Sequence, residues 1–336
     1  MISTRPTLYR EFRPRAPGRA SHMENALNII QIIMDAGRTA VDIALYTLVP
    51  VMVVMLILMK YLESLGVLAR IINWTAPLLK PFGLTGLSLF ALIQLNFVSF
   101  AAPVATLAMM ERKGVSDRHL AATLAMLFAM GQANVLYPLT PMGLHWLAAI
   151  LISVAGGLVA GAVTWHLLAR KLPMKEVISP DDAEVHSPQK KGLISIINSG
   201  GSEAISLALG AIPMLILSMT VVGILKAAGM ITLLEQALSP LLSTLHISTV
   251  LVMPTLVKCL AGGTAYLGVA TDLLQSGKIN AQMLNASTGW LVQTLDLPGL
   301  GIMLGAGFRV ARVARFAIVG ALVGIVVRGV LHMLLF

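Results

Sequence analysis

One cysteine, Cys259, stands among 336 residues. Intrachain disulfides are excluded, and a thiolate metal site has no second sulfur. Charge is scarce as well. Asp, Glu, Lys and Arg together make up 12% of the chain and aromatics 5%, where a soluble domain is about one quarter charged. The seven histidines fall at no ligand spacing, and HExxH, GxSxG and glycine-rich phosphate loops are missing. The sequence therefore points to no enzyme, no cofactor and no metal. Nor is the net charge of +9 a nucleic-acid signature. Much of it lies in Arg5, Arg10, Arg13, Arg15 and Arg19, and no basic patch is laced with aromatics.

What is abundant settles the class. Hydrophobic residues reach 57% and mean hydropathy is +0.85. The apolar runs are continuous, not alternating, which rules out a β-barrel. The reading is an all-α, polytopic helical membrane protein surrounded by lipid. Residues 1–23 form a basic tail without the apolar core of a signal peptide, and Met23 is an alternative start. Ala26, Ile29, Ile30, Ile33 and Met34 then share one face, as in an interfacial helix. Crossings are expected over 43–59, over 81–110 with a break near Pro103, and over 120–169 as two helices turning at Pro138, Pro141 and Gly143. Others follow over 204–225, over 247–273 with a break, and near 281–307 and 316–336. The charged residues 170–192 read as a linker between a first membrane repeat, 24–169, and a second, 193–336.

The repetition is visible in the helix breakers. At the spacing that takes Pro50 to Pro213, a constant 163 residues, Gly66 falls on Gly229, Pro77 on Pro240, Leu78 and Leu79 on Leu241 and Leu242, and Gly114 on Gly277. Breakers in register imply shared backbone geometry, because each restricts what a helix can do locally. The expected fold is thus a pair of pseudo-symmetric repeats, each with about four transmembrane helices and a broken helix at an equivalent place. Four crossings per repeat give parallel repeats and leave Arg309, Arg312 and Arg315 outside. An odd number inverts the second repeat. Those three arginines recur at helical spacing and read as anchors to lipid headgroups.

The second half, through Ala211-Ile212-Pro213, Leu238-Ser239-Pro240-Leu241, Leu260-Ala261-Gly262-Gly263-Thr264-Ala265-Tyr266-Leu267-Gly268 and Thr271-Asp272-Leu273-Leu274, resembles the nucleoside-recognition, or Gate, domain family. It is most similar to the bacterial spore-maturation membrane proteins A and B, joined here in one chain. The same family name covers gate regions of concentrative nucleoside transporters and ferrous-iron permeases. The resemblance implies a transporter-like fold in a bacterial inner membrane. Two departures stand out: the family's Gly/Ser-rich loop reads Ala261-Gly262-Gly263-Thr264, and a later polar cluster reads Gln293-Thr294-Leu295-Asp296.

Candidate site residues follow from polarity at membrane depth. Lys258, Gly262, Gly263 and Thr264 interrupt one apolar run; Asn96 and Ser99 interrupt the equivalent run. Freed backbone groups and an intramembrane lysine are tolerated where they line a cavity or meet a partner. Lys258 is placed to hold an anionic solute group or to pair with Asp296, and Asp296, ahead of Pro298, to cap an interrupted helix. Gln132, Asn134, Gln293 and Thr294 complete the set. Each amide or hydroxyl alone is explained by knitting helices together; the set is explained by a binding site where the repeats meet. The expected activity is alternating-access movement of a small polar solute, anionic or nucleoside-like. The alternative is a membrane scaffold or assembly factor that transports nothing. Homo-oligomerisation is open.

Overall fold

Glycines and prolines divide the apolar chain, and the divisions decide the architecture. The computed structural model describes residues 17–174, 192–244 and 248–336. Most of the tail and most of the linker lie outside those residues. The helix α1 (Pro17–Asp42) runs through a π-helical stretch, Ile43–Leu48, into α2 (Val49–Ser64). Residues 17–23, at the end of the expected tail, belong to this helix. Gly66, at φ 67°, turns the chain into the short helix α3 (Val67–Leu79). Then come α4 (Gly86–Phe97), α5 (Pro103–Arg112), α6 (Asp117–Ala129), α7 (Ala133–Leu139) and α8 (Trp146–Val163). The second half repeats the plan: α9 (Leu193–Ala227), α10 (Met230–Thr244), α11 (Val252–Gln275), α12 (Ala281–Leu291), α13 (Leu297–Leu304) and α14 (Phe308–Leu335). Among the described residues there is no strand.

The register of the repeats is carried by the backbone. Gly66 and its equivalent Gly229 have φ of 67° and 70°, and Gly114 and Gly277 have 71° and 67°. This left-handed conformation favours glycine because a Cβ clashes there. Every break has its counterpart. Residues 98–102 between α4 and α5 correspond to the kink at Gly262 inside α11, and residues 130–132 between α6 and α7 correspond to 292–296 between α12 and α13. These last two breaks correct the expectation of unbroken helices there.

Among the described residues, five helical stretches are long and apolar enough to cross a membrane: Asp117–Met142, Trp146–Leu168, Leu193–Ala227, Thr249–Gln275 and Phe308–Leu335. Ile32 meets Gly223 and Ile57 meets Gly200, so the opening helices of the repeats pack antiparallel. The closing helices do the same. Gly156 of α8 lies against Gly324 and Arg328, and Thr164 against Gly320. Equivalent helices that run antiparallel make the repeats inverted, which excludes the parallel alternative. Small residues let α8 and α14 approach closely, the usual means of association where water does not drive packing.

The arginines before the last helix are also corrected. α14 starts at Phe308, eight residues before the expected start, and takes them into its first turns. Arg309 pairs with the buried Asp117 at 2.6 Å and donates to the carbonyl of Val115 at 2.6 Å, and Arg312 pairs with the same carboxylate. Two of the three therefore hold protein, not headgroups, and Arg315 lies over the Phe316 ring. Arg118 donates to the carbonyl of Trp165 at 2.7 Å. One end of the bundle therefore collects Arg112, Lys113, Arg118, Arg170, Lys171, Arg309, Arg312 and Arg315.

Candidate functional site

Backbone freed by the helix breaks must find partners, and tracing them locates the site. α6 ends at Ala129, and Met130 after it turns to extended backbone at ψ 155°. The Gly131 N–H donates to Ser153 Oγ of α8 at 2.7 Å. The carbonyls of Phe128 and Met130 accept from the Thr294 N–H at 3.1 Å and from its hydroxyl at 3.0 Å. In return the Gln293 carbonyl accepts from Gln132 Nε2 at 3.0 Å. The two equivalent breaks, one from each repeat, are thus stitched to each other by residues that the sequence singled out.

The third break joins them from α11. Gly262 sits at φ 87° and ψ −178°, a region closed to residues with a Cβ. Gly263 leaves no room for a side chain: a Cβ there would collide with Gln132 Oε1. Thr264 Oγ1, next in sequence, accepts from Asn134 Nδ2 at 3.3 Å. Four residues before the kink, the Lys258 ammonium pairs with Asp296 Oδ2, both side chains being 1% exposed. The other carboxylate oxygen of Asp296 accepts from the Gly299 N–H at 2.7 Å and caps α13. Lys258 and Asp296 therefore pair, and Asp296 also caps, with the two charges cancelling locally.

Asn96 and Ser99 lie buried at the remaining break. Asn96 donates to the Leu92 carbonyl of its own helix at 2.9 Å, and Thr106 Oγ1 donates across the break to Gln94 at 2.7 Å. Among the described residues no hydrogen bond ties Asn96 or Ser99 to the cluster around Gln132. Within that cluster the structure brings together Gln132, Asn134, Lys258, Gly262, Gly263, Thr264, Gln293, Thr294 and Asp296.

The amides are half used. Gln132 and Asn134 each commit an N–H to the protein, yet Gln132 Oε1, Asn134 Oδ1, Asn96 Oδ1 and Gln293 Oε1 are buried without a donor among the described residues. A buried polar atom left in this state costs about 1–3 kcal/mol. Four acceptor oxygens at three breaks make an arrangement suited to hydroxyl, amine or cation donors. The sequence reading missed one residue near this cluster: Arg328 of α14, fully buried and donating to the carbonyls of Ala129 and Val292. Its signal was available, as an arginine deep in the apolar run that closes the chain.

No curated protein matches the sequence. The fold is similar to solved structures of CNTnw. In an inward-facing substrate-bound state it superposes with a TM-score of 0.66 at 16% identity, covering 95% of this chain and 85% of that one. A double variant of CNTnw in an outward-facing state gives 0.62 at 18% identity, with 95% and 86% covered. A third structure, an intermediate state of a single variant, gives 0.60 at 16% identity, with 95% and 87% covered. This chain is accordingly a multi-pass helical membrane protein with a fold similar to that of CNTnw, and its residues 45–138 match the Gate family, described as nucleoside recognition.

Proposed function

We propose that this protein is a permease of the bacterial inner membrane that moves a small, neutral, donor-rich polar solute, nucleoside-like in chemistry, by alternating access at the helix breaks. The observation that carries this reading is the set of buried amide oxygens at Asn96, Gln132, Asn134 and Gln293 that have no donor among the described residues. A ribose-like solute brings several hydroxyl donors and satisfies such acceptors. An anion does not, and Lys258, the cation suited to hold one, is engaged by Asp296. The Gate match supports the nucleoside-like class. The similarity to CNTnw, whose structures include inward-facing, outward-facing and intermediate states, supports a fold that alternates. The end of the bundle rich in Arg and Lys is assigned to the cytoplasm by the excess of positive charge there.

The test is uptake into proteoliposomes of uridine and adenosine against a set of organic anions, with thermal stability of the purified protein read in parallel. A bound solute at one hundred times its dissociation constant adds about 2.7 kcal/mol. Asn134→Leu and Gln132→Leu are expected to remove both the uptake and the thermal shift while the protein stays folded. Uptake of anions alone overturns the neutral-solute assignment. No uptake of any solute by folded protein, with no thermal shift, leaves the scaffold role in its place.

A further inference from the structure

The proposed site depends on two helix breaks keeping their distance, and one side chain outside it touches both. Arg328 lies in α14 with none of its surface exposed. No carboxylate pairs with it among the described residues, which is unusual for a cation at membrane depth. Its partners are backbone. Nη1 donates to the Ala129 carbonyl at 2.5 Å and Nη2 to the Val292 carbonyl at 2.7 Å. Ala129 is the last residue of α6, and Val292 is the cap residue that follows α12. They are symmetry partners at the same spacing that takes Pro50 to Pro213.

The contact has a physical rationale. Carbonyls at a helix C-terminus lack intrahelical donors and carry the negative end of the helix dipole. Both are otherwise stranded at membrane depth, where an unmet polar group costs several kcal/mol. A guanidinium is a planar fork with donors fixed in direction, so one side chain serves two carbonyls. Three glycines accommodate the arginine. A Cβ at Gly156 would collide with its side-chain stem, one at Gly289 with its own carbonyl, and one at Gly131 would approach Nη2 at 3.4 Å.

We propose that Arg328 is a positioning residue of the transport site. Its guanidinium ties the break of one repeat to the equivalent break of the other, so that Gln132 and Asn134 stay in register with Gln293 and Thr294. The role in transport rests on the site described under Proposed function; the tie between the breaks does not. Lysine has no flat fork, so its shorter reach and freely rotating donors do not hold the two carbonyls in fixed directions.

The experiment compares wild type, Arg328→Lys and Arg328→Gln in lipid nanodiscs by hydrogen–deuterium exchange, and in proteoliposomes by uridine uptake. In both variants, peptides covering 128–136 and 290–297 are expected to exchange faster together, by roughly tenfold or more for the loss of a charge-assisted hydrogen bond. A control peptide over 86–97 stays at the wild-type rate. KM for uridine rises about tenfold while the maximal rate stays within about twofold, as for lost positioning and not lost turnover. Wild-type exchange at both breaks, or loosening of one alone, overturns the tie. An unchanged KM in a loosened variant overturns the positioning role. If wild type takes up no uridine, the transport reading fails by itself and the exchange arm still decides the tie. Should neither variant fold, Gly156→Ala displaces the arginine stem with the charge retained, and the same paired loosening is required of it.

Discussion

The buried pair of Lys258 and Asp296 makes a quantitative prediction about stability. Both side chains are almost fully enclosed, so removing either charge strands the other. Stranding a buried charge costs about 3–5 kcal/mol. Asp296→Asn isolates that effect, because asparagine caps a helix as well as aspartate does and the Gly299 N–H keeps an acceptor. Lys258→Met is milder. The orphaned carboxylate still accepts from Gly299 at 2.7 Å and sits at the start of α13, where the helix dipole offsets up to about 2 kcal/mol. The expected losses are therefore about 3–5 kcal/mol for Asp296→Asn and about 1–3 for Lys258→Met. The double variant has no stranded charge and is expected within about 2 kcal/mol of wild type, a coupling of at least about 2 kcal/mol. Urea unfolding of the four proteins in one detergent measures the cycle, with melting temperature as a check. Additivity of the two single losses to within about 0.5 kcal/mol would refute the reasoning.

Three further substitutions probe separate parts of the structure. Gly263→Ala puts a methyl where Gln132 Oε1 lies and 2.9 Å from a Val135 methyl; it is expected to abolish solute uptake and to lower stability by about 1–3 kcal/mol through overpacking, read by transport assay and thermal melt together. Asp117→Asn releases Arg309 and Arg312, whose side chains are 27% and 55% exposed; its cost of about 1–2 kcal/mol should shrink in 1 M salt, since exposed charges are screened. Gly324→Ala brings a methyl to 2.8 Å from Ala160 and 2.9 Å from Ala129; a loss of about 1–3 kcal/mol is expected from forced separation of α14 from α6 and α8, and a neutral melt would count against the close glycine seam.

Much of the plan is legible in the sequence because helix breakers act locally. A proline or a positive-φ glycine restricts its own turn whatever surrounds it, so Gly66 with Gly229 and Gly114 with Gly277 announced the repeat register before any contact was known. The polar residues at the breaks were legible for a related reason: an amide in an apolar run needs a partner or a ligand. What escaped was whatever depends on backbone atoms or on distant chain segments. Met130 and Gly131 end α6, but neither is a helix-stopping residue of the strength of proline. Arg328 binds two carbonyls, and carbonyls have no residue type to search for. Arg309 and Arg312 look like headgroup anchors until Asp117, nearly two hundred residues earlier, is brought beside them. The direction of the second repeat was equally hidden, because it follows from the antiparallel run of α8 against α14.

The closing helix α14 packs against α6 and α8 of the opposite repeat and against α12 of its own, and its residues from Val310 to Ile325 share one core with Leu120 to Met130. This has a consequence for biosynthesis. The half of the protein made first cannot complete its interior until a helix translated long afterwards arrives to fill it. Asp117 must wait in the bilayer or in the insertion machinery without Arg309 and Arg312, with an open seam beside α8. A ribosome halted before Phe308 would leave a membrane intermediate whose exposed glycine face is a ready target for quality-control proteases, and supplying α14 as a separate peptide should restore it.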